Sequence, residues 1–413
     1  MPVARGLLRT AQQASCISRG SGDTVAMHCA SWLMLAMASL ATTAAAVTQT
    51  APAKAPRFAN GLPSDANWFP LGVWVQSPQS AKAYQDLGIN LFVGLYGGPT
   101  EEQLTELERV GMRVICHQNE VGLRHQGQAI VGWMHGDEPD NAQARRRDGY
   151  EPPIQPAQVV ADYERLHKAD PTRPILLNLG QGAAWDGWRG RGERTNHPED
   201  YPQYCKGCDV VSFDIYPVTH SHADVKGQLE FVGNGVLRLR SATQNQKPVW
   251  AVIETAHVAN PTVRPTAEQV RTEVWQAIAC GASGVVYFAH EFAPTFVEAG
   301  LLAHPEIAAG VKQLNAEVLA AAPVLNGQRA DAQLHVAVDD GGKLAVRTHE
   351  HAGALHVFTA SLQSTPLRAS FLVCGEANGA VHIAGEEMPK QLAQGRFSDD
   401  FAAYGIRHYR IPR

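Results

Sequence analysis

The chain has 413 residues, 45% of them hydrophobic, and a formal net charge of −5. That is enough apolar material for one large domain and one smaller one. The mild negative charge argues against a nucleic-acid partner, because the run Arg145-Arg146-Arg147 is short and falls in an expected loop.

The amino end reads as a targeting segment. Arg5, Arg9 and Arg19 precede an apolar stretch, residues 32–40, and then Ala44-Ala45-Ala46. Residues 1–46 therefore match a secretory signal peptide cleaved near Ala46, with Met27 as an alternative start. The apolar core is short for a retained anchor, and no later stretch is long enough for a stable membrane span. The expectation is an exported protein, periplasmic or secreted. Residues 47–57, rich in Ala, Pro and Thr, read as a linker.

From 58 to 327, strand-like and helix-like runs alternate. The strand-like runs are 71–75, 91–95, 113–116, 130–134, 175–179, 210–215, 249–253 and 284–288. They are nearly continuous in Val, Ile, Leu and Phe, as expected of parallel strands buried on both faces. Helical spacing appears over 77–87, 101–110, 156–169, 225–243, 266–280 and 307–319, with Gly88 and Gly111 as stop signals and Thr266/Gln269 as a capping box. Eight such repeats predict a (β/α)8 TIM barrel, of the α/β class. An open doubly wound sheet would want a Gly-rich phosphate loop, and Gly97-Gly98-Pro99 is not one. Residues 328–413 change to short alternating strands at 334–338, 344–346, 355–360, 369–373 and 380–383, which predict a small antiparallel β domain resembling a sandwich.

Seven cysteines are present, of which Cys16 and Cys29 fall in the targeting segment. Cys205 and Cys208 form a lone C-x-x-C with neither a second pair nor suitably spaced histidines, so the expectation is a local disulfide or two partly buried thiols.

Two glutamates end apolar runs. The fourth strand opens into Asp137-Glu138-Pro139, and the seventh stops at Ile253-Glu254-Thr255. A barrel collects such strand ends at one face, where active sites are built. Here the sequence resembles the clan A retaining glycoside hydrolases, in which an acid/base Glu follows strand four, usually as Asn-Glu-Pro, and a nucleophile Glu follows strand seven. The resemblance covers roughly residues 58–327. It implies Glu138 as acid/base and Glu254 as nucleophile, with the two carboxyl groups about 5–5.5 Å apart. Asp137 departs from the clan's Asn, which contacts the sugar 2-hydroxyl; Asp accepts that bond but donates no amide hydrogen, and its charge would raise a carboxyl pKa beside it.

Other strand ends supply candidate substrate contacts: Trp74, Tyr96, His117, Asn119, Asp214, Tyr216, His257 and His290. The resemblance implies that Tyr216 hydrogen-bonds the nucleophile. It also implies a Trp beneath the sugar after strand eight, where Phe288 or Phe292 would have to substitute. In the loop after strand five, Trp185 and Trp188 either stack on sugar faces or pin the loop to the barrel. The partner implied is an oligo- or polysaccharide, and no cofactor or metal is implied. Two other readings compete. His117, His135, His257 and His290 all follow strands, as in a metal-dependent barrel hydrolase, but strand one lacks a His-x-His pair. A non-catalytic carbohydrate-binding barrel is the third reading.

Overall fold

The computed structural model describes residues 58–145, 149–258, 260–292 and 294–413. The expected signal segment and linker, and two of the three consecutive arginines, lie outside the described residues.

Eight parallel strands close into a barrel: β1 (Leu71–Trp74), β2 (Leu91–Val93), β3 (Arg113–Cys116), β4 (Ile130–Met134), β5 (Ile175–Leu179), β6 (Val210–Asp214), β7 (Val249–Glu254) and β8 (Gly284–Phe288). Each pairs with its sequence neighbours, and β8 pairs with β1 to close the ring. Each strand core was legible as an apolar run because both faces are covered, one by the barrel interior and one by the helices.

The surrounding helices include α1 (Ala81–Asp86), α2 (Glu101–Arg109), α3 (Pro156–Ala169), α4 (Glu230–Ala242), α5 (Ala267–Cys280) and α6 (Pro305–Leu325). The expected box at Thr266 and Gln269 caps α5, and Thr100 with Gln103 caps α2 in the same way. Helix α4 starts later than the 225–243 pattern suggests, because residues before Glu230 form turns at the barrel mouth.

After the barrel comes a nine-stranded antiparallel sheet: β9 (Gln328–Arg329), β10 (Leu334–Val338), β11 (Leu344–His351), β12 (Ala354–Ser361), β13 (Leu367–Val373), β14 (Asn378–Ile383), β15 (Lys390–Ala393), β16 (Arg396–Phe401) and β17 (Ile406–Pro412). The order is β9-β11-β12-β17-β14-β15-β16-β13-β10. Its own core is built around Phe371, Phe397, Tyr409 and Ile411. The sheet packs on the barrel through Trp275 of α5, stacked on Phe358 with ring centres 5.7 Å apart. Arg347 seals the contact. Its guanidinium is buried and donates to the carbonyls of Ile278, Ala282 and Leu325, at or just past the ends of α5 and α6, and to His349 Nε2 at 2.8 Å. Burial pushes its pKa down, to about 9.

Cys205 and Cys208 are buried, unbridged thiols. Lys247 Nζ donates to both of their backbone carbonyls, at 2.7 and 2.6 Å, which fixes the turn into β6 without a covalent link. Among the described residues no helix is long and apolar enough to cross a membrane.

Candidate active site

Strand alternation decides which side chains reach the barrel mouth. Leu176, Val210, Trp250 and Val252 fill the interior. Two residues further along each strand, with the same parity, come Asn178, Ser212 with Asp214, and Glu254. Polar side chains at the last interior layer of several strands thus meet in one place.

Asn178 is the hub that joins them. Its Nδ2 donates to Asp137 Oδ1 at 2.9 Å and to Asp214 Oδ2 at 3.2 Å, while Ser212 Oγ donates to its Oδ1 at 2.7 Å. The Ser212 bond fixes which end of the amide faces the two carboxyl groups. Asp137 stays accessible from the mouth although protein atoms crowd it, and that crowding raises its pKa. Asp214 is buried, and burial followed by the charge of Glu138 holds its carboxyl well above the usual range. A hydrogen bond to Glu138 adds to that rise and lowers the Glu138 pKa in turn.

Glu138 sits in a strained turn. Its φ of 43° lies in the left-handed region that costs a non-glycine residue on the order of 1–3 kcal/mol. Asn141 Nδ2 donates to Glu138 Oε2 at 2.8 Å, and Trp188 Nε1 donates to Asn141 Oδ1 at 2.9 Å. Gly180, just past β5, has no side chain where one would be needed least: a Cβ there would stand 2.9 Å from Glu138 Oε1 and 2.8 Å from the Asn141 amide. The turn is tied down from below by Asp140, which accepts from the Gly180 N–H at 2.8 Å and from Tyr201 Oη at 3.0 Å. The Glu138 carboxyl pKa rises to about 7, first because of burial and second because of Asp137. The repulsion expected from Asp137 is thus present but secondary.

Glu254 ends β7 with no exposed surface. Its two oxygens accept from the backbone N–H groups of Val218 and Thr219, at 2.6 and 3.0 Å. Burial drives its pKa up to about 7 against the lowering effect of the Thr219 side chain and of those two backbone bonds. Helix α5 buries a further carboxyl, Glu273, whose oxygens have no partner among the described residues; burial and the charge of Glu254 raise its pKa well above the ordinary value. Tyr216 does not hydrogen-bond Glu254, contrary to the expectation, because backbone amides after β6 occupy the carboxyl instead. Burial, and after it the charges of Asp214, Glu138, Asp137 and Glu254, raises the pKa of the phenol well above its ordinary value.

The remaining candidates divide. Trp74 is buried at the top of the interior cluster. Tyr96 is 87% exposed at the rim. His117 is exposed. Asn119 caps the short helix Glu120–Arg124, accepting from the Gly122 N–H at 2.8 Å and donating to Pro99 O at 2.8 Å, so both ends of its amide are occupied. His257 is held through Nδ1 by the carbonyls of Asn260 and Val263. His135 bonds the Gly207 carbonyl at 2.7 Å. Four histidines follow strands, yet among the described residues no group of three or more His, Cys, Asp or Glu is arranged to hold a metal ion. Trp185 stands against His222 and His220, with ring centres 4.8 and 5.6 Å away. Trp188 pins the loop, but to Asn141 rather than to the barrel wall. At the end of β8, Phe288 lies 5.2 Å from both Tyr216 and His290, near the position where a Trp was expected. Asn178, Gly180 and Asn141 were missed; a polar residue in the last interior position of β5 was the available signal.

Residues 157–310 match the model of glycoside hydrolase family 42, described as Beta-galactosidase. That span runs from α3 into α6 and includes Asp214, Tyr216 and Glu254. The barrel, the order of the motifs and this match agree: the chain resembles a glycoside hydrolase with the clan A fold. No curated protein matches the chain. Three solved structures similar to it are glycosidases. A family 30 endoxylanase from Clostridium papyrosolvens C71 is 9% identical with a TM-score of 0.44, over 88% of this chain and 98% of that one. An alpha-L-arabinofuranosidase from Thermotoga maritima is 8% identical with a TM-score of 0.44, over 84% and 97%. A putative alpha-galactosidase from Bacteroides fragilis NCTC 9343 is 11% identical with a TM-score of 0.47, over 86% and 80%.

Proposed function

We propose that the chain is an exported glycosidase that cleaves its substrate with retention, using Glu138 as acid/base and Glu254 as nucleophile. The observation that carries the reading is that Glu138, Asp214 and Glu254 stand at or just past the carboxyl ends of β4, β6 and β7, on one face of a closed parallel barrel. A raised pKa suits Glu138 to hold a proton near neutral pH. In the first step that proton passes to the glycosidic oxygen as Glu254 bonds to the anomeric carbon and the sugar–oxygen bond breaks. In the second, Glu138 takes a proton from water, whose oxygen displaces Glu254 from the same carbon. Asp214 and Asn141, both hydrogen-bonded to Glu138, hold it in place through both steps.

The reading makes a demand. Glu254 is fully covered here, so attack requires its carboxyl to turn from the Val218 and Thr219 amides toward the mouth. A complex with a substrate analogue measures the consequence: retention needs the carboxyl groups about 5–5.5 Å apart, and roughly 9 Å would mean inversion. The first substrates to test are aryl β-galactosides, following the description of the matched family, then a wider panel of aryl glycosides. Export is supported by the amino-terminal pattern, and the mature amino terminus of the exported protein, read by mass spectrometry, tests it.

The covered Glu254 also favours a second reading, a carbohydrate-binding barrel without turnover. Glu254→Gln separates the two. An enzyme loses turnover and keeps sugar binding; a binder shows no turnover in either form.

A further inference from the structure

A cavity of about 630 Å³ opens on the far side of the mouth from Trp185, where the loops after β1, β2 and β8 meet. Its walls include Gln76, Tyr96, Glu102, His290, Phe296 and Glu298. None of these takes part in the chemistry described above, yet a row of rings, Tyr216, Phe288, His290 and Phe296, runs from the carboxyl groups to it at centre spacings of 5.2–5.9 Å.

Three features say what the cavity would hold. Tyr96 and Phe296 are 87% and 62% exposed, and Phe292, packed on Phe296, is 52% exposed. Large apolar rings left in water at a cavity rim fit a ligand with one apolar face, as a sugar ring has. Next, Tyr84 Oη donates to Gln76 Oε1 at 2.5 Å, so the Gln76 amide nitrogen is the end that faces Glu298 O at 2.9 Å and His290 Nε2 at 3.3 Å. His290 Nδ1 has no partner among the described residues although the residue is only 9% exposed. A buried ring nitrogen left unpaired is costly, and a ligand hydroxyl, which can both donate and accept, would relieve it. Last, the lining carries Glu102 and Glu298 but no Lys or Arg. Burial lowers the pKa of His290, which leaves the wall without a cation at neutral pH. The backbone is bent to present this wall: Val75 has a φ of 42°, rare for a β-branched residue.

We propose that this cavity is a subsite for an uncharged sugar unit of the substrate chain, flanked by Tyr96 and Phe296, and that it rejects sugars bearing carboxylate or sulfate groups. The proposal rests on the glycosidase reading for the identity of the ligand as a sugar, and its test is binding rather than turnover. Isothermal titration of the Glu138→Gln protein with xylotriose, cellotriose, β-1,4-galactotriose and trigalacturonate is the experiment. At least one neutral trimer is expected to bind, with trigalacturonate at least about tenfold weaker than it. Tyr96→Ala and Phe296→Ala, placed in the same background, should each weaken the neutral trimer about tenfold. Both positions are exposed, and unchanged melting temperatures confirm intact folding. Equal affinity for trigalacturonate, no neutral trimer bound, or unchanged affinity in the two alanine variants overturns the proposal. Absent turnover in the wild type overturns the catalytic reading alone, because binding is scored separately.

Discussion

Glu138 and Glu254 both reach pKa values of about 7, and burial is the leading cause for each, but the groups that hold them differ in kind. Glu138 is held by side chains: Asn141, itself held by Trp188, and Asp214, itself held by Asn178. Glu254 is held by two backbone N–H groups, with only the Thr219 side chain beside them lowering its pKa. Side-chain partners can be removed singly by substitution, whereas backbone donors persist in every variant. The acid/base side should therefore be tunable in graded steps, and the nucleophile side should behave as present or absent.

The largest expected effect is on the all-or-none side. Glu254→Gln should lower kcat by at least about 10⁴-fold on every substrate, since no other group can form the glycosyl-enzyme bond. Glu138→Gln should cost about 10²–10⁴-fold on substrates with poor leaving groups. Its effect on bond cleavage should be far smaller for aryl glycosides whose leaving group needs no proton. A matched loss across all leaving groups in Glu138→Gln would erase the difference between the two sides. Single-turnover rates on a leaving-group series make the measurement.

The graded side gives the next effect. Asn141 donates to Glu138 and so lowers its pKa against the pull of burial. Asn141→Ala should raise the Glu138 pKa further, moving the basic limb of the kcat/KM profile to higher pH, with about a tenfold loss of kcat. Trp188→Phe keeps a ring but removes the indole N–H. If Trp188 works through Asn141, this variant shifts the same limb in the same direction by less and leaves KM alone. A raised KM with an unmoved pH profile would instead make Trp188 a sugar platform.

Much of this frame was readable before any coordinates, and the exceptions have a common cause. Eight strands stood out because their residues are apolar on both faces, and Glu138 and Glu254 stood out because each ends such a run. Asn178 did not stand out: one polar residue in Ile-Leu-Leu-Asn-Leu looks like a blemish until β5 is set between β4 and β6. Asn141 and Gly180 matter through a contact between the loops after β4 and β5, which no spacing along the chain announces. Asn119 looked like a mouth residue because it follows β3, but a helix starts one residue later and takes its side chain as a cap. The strands β15 to β17 alternate with charged residues such as Asp399, Asp400, Arg407 and Arg410, so their apolar pattern is diluted.

Stability offers a further way to compare the two carboxyl groups, now without substrate. In the unfolded chain each glutamate releases its proton near 4.5; in the folded protein the release is near 7. Between those values the folded state binds more protons, so stability is fullest below about pH 4.5 and is lost as pH rises through about 7. Glu254→Gln removes that loss. It should stabilise the protein at pH 8, by at most on the order of 3 kcal/mol, and change little at pH 4.5. Glu138→Gln should follow the same sign with a smaller gain, because Glu138 is partly open to solvent. Denaturant titrations at the two pH values read it. A gain at low pH that disappears at high pH would reverse the sign and show that the carboxyl groups are not strained by burial.

The smallest effect on activity should come from the interface between barrel and sheet. Arg347 is buried, as Glu254 is, but its bonds end on backbone carbonyls of α5, α6 and the turn after α5 and on His349 Nε2, none of which belongs to the site. Arg347→Met fills similar space while removing the side-chain donor to those carbonyls, which should destabilise the fold by about 1–3 kcal/mol. Melting temperature should fall by several degrees while kcat and the pH profile stay unchanged. A shifted pH profile in Arg347→Met would mean that the sheet reaches the mouth through α5, whose Glu273 lies in the field of Glu254. The contrast between a tunable side and a fixed side would then have to include the sheet as a third support, acting on the nucleophile from outside the barrel.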